Sequence, residues 1–294
     1  MRRAPRLAAA SAALVLLLAP ARAEAWGFEA HKFIMDRAIA LLPPQIRAFF
    51  EAGRPAVVER AVDPDLWRTV GWPGEGERHF VDLDAYGEHP FRDLPRDFDE
   101  AVKKHGREAV EKNGTLPWRV EEFYRRLVEA FELKDPYARD NIRLFSAILS
   151  HYVADAHVPF HATRNYDGQL TKQWGIHGRF ESDLFERYRV RLRVLPKAAS
   201  AVESPRDFLF DVLTDSFPLV QPILEADRQA SRGREVYDDA YYGTFFTKVR
   251  PILERRLSES ITAVASMITA AWTEAGRPTI PVQVRTPPQK VRRR

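Results

Sequence analysis

The chain has 294 residues, no cysteine and a formal charge of +4. Without thiols it has neither disulfides nor thiolate metal sites, so a metal here must be held by histidine, carboxylate or backbone groups. The positive charge sits at the two ends: Arg2, Arg3, Arg6 and Arg22 near the start, and Arg285, Lys290, Arg292, Arg293 and Arg294 at the finish. The stretch between them is net acidic, so the basic balance says little about nucleic-acid affinity.

Residues 1–25 read as a secretory signal peptide, with a basic start, an apolar run from Leu7 to Ala19 and a small-x-small site at Ala23-Glu24-Ala25. The run is too short to cross a bilayer, which takes about 20 residues. Export to a periplasm or the outside, with cleavage before Trp26, is therefore expected. Helical periodicity then predicts a helix over 28–42, with Ile34, Ala38, Leu41 and Leu42 on one side and Pro43-Pro44 as its stop. Further helices are expected over 97–112, 118–131 (after Pro117), 137–157 (between Pro136 and Pro159), 177–195, 205–224 and 244–275. Strand-like alternation is confined to His79–Asp84. Polar, Gly- and Pro-rich loops fall at 71–78, 86–96 and 162–176. The expectation is one all-α domain over 26–276. A Pro-rich basic tail, 277–294, is expected to be disordered and able to touch anionic surfaces weakly.

The chemistry concentrates in His151-x3-Asp155-x5-His161. Residues four apart share a helical face, so His151 and Asp155 point the same way, and Pro159 lets His161 turn back toward them. His177 and Glu181 repeat the four-residue step. Imidazole nitrogen and carboxylate oxygen are what zinc takes when thiolate is absent. Upstream, Asp63-Pro-Asp65 stands three residues before Arg68, and His79 opens the strand-like piece. The local sequence leaves both aspartates open as a turn or helix cap or as a ligand. Cleavage before Trp26 would free an amine one bond from a carbonyl, a chelating pair, with His31 five residues on. His157 reads as a packing residue or a support to the ligands.

In this order the residues resemble the superfamily shared by bacterial zinc-dependent phospholipase C and the single-strand-specific zinc nucleases of the S-one/P-one type. Members have a mature N-terminal Trp, an early His, an Asp, a His opening an HF segment, then H-x3-D-x5-H and H-x3-D/E. Those places are filled by Trp26, His31, Asp65, His79, His151, Asp155, His161, His177 and Glu181. The resemblance implies three zinc ions. Asp155 would bridge a pair, with Asp65, His79 and His151 on one ion and Trp26 and His31 on the other. His161, His177 and Glu181 would hold the third. It also implies catalytic work for Asp65, with Arg68 clamping phosphate.

The branch is mixed. Trp26-Gly-x3-His31 and the Asp65–Arg68 step look like the nucleases; Glu181 and the lack of cysteine look like the phospholipases. The nucleases' Gln-Pro-Leu-His is here Val158-Pro-Phe-His161, and their Gly-Gly-Asn is replaced by Asn165–Gln169. The expected function is a secreted trizinc phosphodiester hydrolase, favoured slightly as a single-strand nuclease, with phospholipase C as the alternative. A non-catalytic zinc-binding protein is the third reading. Trp67, Trp72, Tyr166 and Trp174 flank the ligands and would serve either as base-stacking groups or as an apolar lip for acyl chains. No obligate protein partner is inferred.

Overall fold

The computed structural model describes residues 27–134 and 137–282. These form α1 (Phe28–Leu41), α2 (Pro44–Ala52), α3 (Arg54–Arg60), α4 (Asp63–Thr69), α5 (Phe98–His105) and α6 (Arg107–Lys112). Then come α7 (Leu116–Glu132), α8 (Ala138–Asp155), α9 (Ile176–Gly178), α10 (Leu184–Tyr188), α11 (Pro205–Ser216), α12 (Val220–Ser231) and α13 (Asp239–Glu274). The all-α expectation holds, and no strand forms among the described residues.

His79–Asp84 is the main correction. Its amides go to two different loops: Val81 N–H donates to the His161 carbonyl at 2.9 Å and Asp82 N–H to the Asn113 carbonyl at 2.7 Å. No second strand lies beside it, and Leu83–Ala85 closes into a 3-10 turn. The helix expected over 97–112 is two helices, broken at Gly106, whose φ of +84° leaves the helical region. The helix expected over 205–224 breaks where Pro218 offers no N–H to α11. The one expected over 177–195 ends by Arg191.

Beyond it, residues 192–203 run extended along α13. Backbone amides of Arg193, Leu195, Lys197 and Ser200 donate to side chains of Glu254, Ser258, Thr262 and Ser266 at 2.7–3.0 Å. Two residues of extended chain advance about as far as four of a helix, so residues 193, 195 and 197 stay in register with the i,i+4 row, and the last step, to Ser200, takes three residues. The short helices α2, α3 and α4 were not expected; each has a proline in its first turn, where the missing N–H costs nothing.

The 36-residue α13, roughly 54 Å long at 1.5 Å per residue, packs against α1, α7, α8 and α12. Against that post lies α8, whose residues from Ser146 to Asp155 are buried on every side. Phe49, Phe50, Phe160, Phe180, Phe185, Phe245 and Phe246 are buried in the same core. The polar end of α8 is thus delivered into the core rather than to the surface, which is what positions the site. Of the expected tail, residues through Val282 lie against the domain: Trp272 Nε1–H donates to the Pro278 carbonyl at 3.0 Å and Ile280 is buried. Residues 283–294 and the signal segment 1–25 lie outside the described residues.

Candidate metal centre

Within this frame α8 carries His151 and Asp155 one turn apart, with Nε2 to Oδ2 at 3.3 Å. The His151 ring is fixed from behind by its Nδ1, 2.8 Å from the Ala61 carbonyl, leaving Nε2 forward. From α1, His31 stacks on His151 with centroids 3.9 Å apart and places Nε2 3.4 Å from Asp155 Oδ1. From the turn after residue 78, His79 brings Nδ1 to 2.9 Å from Asp155 Oδ2 and 3.1 Å from His151 Nε2. From α4, Asp65 Oδ1 stands 3.9 Å from His79 Nδ1 and 4.0 Å from His151 Nε2. Asp65 is fully buried, whereas Asp63, at the start of the same helix, is partly exposed. Arg68 Nη2 meets Asp65 Oδ1 at 3.1 Å.

A second group adjoins the first. His161 sits in the 3-10 turn Pro159–Ala162 and turns back as the proline predicts; its Nδ1 is 2.5 Å from the His79 carbonyl. Its Nε2 is 4.0 Å from Glu181 Oε2, and His177 Nε2 is 3.0 Å from the same oxygen. The helical stretch carrying His177 and Glu181 widens into a π turn over Arg179–Asp183, a distortion often found at functional sites.

The donor atoms gather into three buried sets able to hold a metal: His31, Asp65 and His151; His79, His151 and Asp155; His161, His177 and Glu181. Every expected ligand within the described residues is brought into one of them. Trp26 lies outside the described residues. The next residue, Gly27, lies close to Ser182, beside Glu181: a Cβ on it would fall 2.6 Å from Ser182 Oγ.

Chemically the sets fit zinc. The ring nitrogens of His31, Nε2 of His161 and both nitrogens of His177 are buried without hydrogen bonds. Such orphaned polar atoms are costly unless a cation takes their lone pairs. Burial pushes the imidazole of His161 down to about 3 and that of His177 down to about 4, and it lowers His31 too, with the His151 ring beside it. These rings are therefore neutral, the form that ligates. Asp155 goes the other way: against its burial, the facing His151 and His161 rings, with hydrogen bonds from His151 and His31, hold its carboxyl well below the usual range. At His79, burial is outweighed by the hydrogen bond to Asp155 and by the nearby Glu75 carboxylate, which raise it to about 9. The site favours positive charge at that point.

Sequence reasoning missed Glu75. It is 1 % exposed and stands four residues before His79, the same step as His177 to Glu181. That spacing was its only signal. Buried His157 belongs to no set; its Nδ1 lies 2.8 Å from the Val153 carbonyl.

A family model described as zinc dependent phospholipase C matches residues 30–214, from just before His31 to beyond Glu181. The chain belongs to the zinc-dependent phospholipase C family. No curated protein matches it. As a member of that family it is a zinc-dependent hydrolase of phosphodiesters with an all-α domain. Among the described residues no helix is long and apolar enough to cross a membrane.

Proposed function

We propose that this family member is an exported phospholipase C, working with three zinc ions and beginning at Trp26. What supports it most is Asp155, whose two oxygens face different donors: Oδ1 faces His31, and Oδ2 faces His79 and His151. A carboxylate so placed would be able to serve two ions. Asp65, His79 and His151 would complete one; His31 with the amine and carbonyl of Trp26 would complete the other. Gly27, the first described residue, packs against Ser182, next to Glu181. His161, His177 and Glu181 would hold the third.

Zinc in these sets supplies Lewis acidity toward phosphoryl oxygens and lowers the pKa of water from about 15.7 to about 7. The protein's own part is to hold and orient. Asp65, buried and with both oxygens free of hydrogen bonds, is placed to take a proton from the attacking water. Arg68, held against Asp65, brings a forked donor suited to a phosphate. Trp72, Tyr166 and Trp174 are each at least half exposed, in the loops bracketed by the ligands. They would form the apolar lip that acyl chains need. Phospholipid is favoured over nucleic acid because the family model names it.

Protein beginning at Trp26 and loaded with zinc should be offered phosphatidylcholine vesicles and single-stranded oligonucleotide in parallel, with products read by mass spectrometry. Diacylglycerol and phosphocholine are expected. Oligonucleotide fragments ending in 5′-phosphate, with the lipid untouched, would make it a nuclease. Neither product from fully loaded protein would overturn the phosphodiesterase reading.

A further inference from the structure

Behind His79, on the side away from Asp155, lies a buried network that the proposed reaction does not use. Its hub is Glu75, at 1 % exposure. Oε2 accepts from Arg78 Nη1 at 2.8 Å and from Arg119 Nη2 at 3.5 Å. Oε1 accepts from the Tyr152 hydroxyl and faces His79 Nε2 at 3.7 Å. Arg119 also donates to the Tyr152 oxygen at 3.2 Å, so the hub is braced from α7 and α8 together.

His79 differs from its neighbours in which nitrogen it turns to the centre. His151 and His161 have Nδ1 against backbone carbonyls and leave Nε2 forward. His79 does the reverse: Nδ1 points at Asp155 and His151, and Nε2 is buried without a hydrogen bond. A neutral imidazole carries one proton. For Nδ1 to offer a lone pair, that proton must sit on Nε2, in the core, where an unmatched N–H is costly. Glu75 Oε1 is the acceptor that faces it.

We propose that Glu75 is a positioning residue that selects the Nε2–H form of His79, so that His79 ligates through Nδ1. Carboxylates standing behind metal-bound histidines fix the ring and raise its basicity. Here Arg78, Arg119 and Tyr152 aim the carboxylate. Its effect is confined to the ion that His79 serves. This inference rests on the zinc reading of the centre.

The test compares wild type, Glu75→Ala, Glu75→Asp and Glu75→Gln. Zinc affinity is read site by site in a chelator competition, and the melting temperature of the metal-free proteins is read alongside. Glu75→Ala is expected to lose affinity for one ion by about 10–100-fold, with the others unchanged. Glu75→Asp, which retracts the carboxylate, should lose affinity at the same ion. Glu75→Gln, which keeps an acceptor oxygen, should stay close to wild type. If Glu75→Ala does not fold, the Asp and Gln variants decide the matter by themselves. Wild-type affinity at every site in Glu75→Asp and Glu75→Ala would overturn the proposal. So would an equal loss at all sites that follows a fall in metal-free melting temperature, because that is a structural effect. A wild-type protein that takes up no zinc would overturn the zinc reading itself.

Discussion

Asp155 is held between His31 and His79: its Oδ1 lies 3.4 Å from one ring and its Oδ2 2.9 Å from the other. Asp155→Asn keeps the shape and removes the charge that both sets face. The variant is expected to lose both ions of the pair, keep the one at His161, His177 and Glu181, and fall in activity by more than about 100-fold, beyond what supporting residues usually cost. Zinc content by mass spectrometry checks this; a variant with full metal and full turnover would remove Asp155 from the centre.

The set of His161, His177 and Glu181 should behave independently. His177→Ala is expected to release a single ion and leave the Asp155 pair loaded, so that zinc content falls by one per chain. A uniform loss across the centre would show that the sets are not separable.

Extra residues before Trp26 should harm only the pair. A protein carrying a short extension there is expected to lose the ion served by His31, while the set at Glu181 stays filled. The readout is zinc content before and after the extension is removed by a protease. An extended protein with full zinc content and activity would exclude a ligand role for the terminal amine.

Asp82 supplies a pH dependence away from the ligands. Its carboxyl is raised to about 7, by burial first and by the Asp84 charge second, and its Oδ1 is buried without a partner. A folded pKa above the unfolded one means that the folded state holds the proton more tightly. Asp82 therefore costs nothing below about pH 4, and its burial subtracts stability as pH rises from about 4 to about 7. Asp82→Asn removes that slope. The melting temperature of the variant relative to wild type should climb between pH 5 and pH 8 by at least about 3 °C. Parallel curves would contradict the assignment.

Much of the centre was legible because its spacing is local chemistry. His151 with Asp155, and His177 with Glu181, are pairs that one helical turn brings together, and Pro159 marks where His161 must return. Asp65, His79 and His31 were legible only as members of an ordered series, since nothing local says that three separate segments converge. Glu75 was passed over because a Glu four residues before a His in a loop has no helix to give the spacing meaning; the turn over Gly76–Arg78 supplies it. His79–Asp84 misled for the opposite reason. Alternation describes side chains, while a strand also needs a partner backbone, and here the amides are taken by two loops. The strap at 192–203 was unreadable because its hydrogen bonds run to side chains of α13 some sixty residues away.

The central claim is that three zinc ions share this core, two of them across Asp155. The most direct measurement is an anomalous difference map at the zinc edge, from crystals of the protein beginning at Trp26. The account predicts three peaks, two flanking the Asp155 carboxylate and one among His161, His177 and Glu181. A single peak, or none beside Asp155 in protein grown with excess zinc, would contradict it.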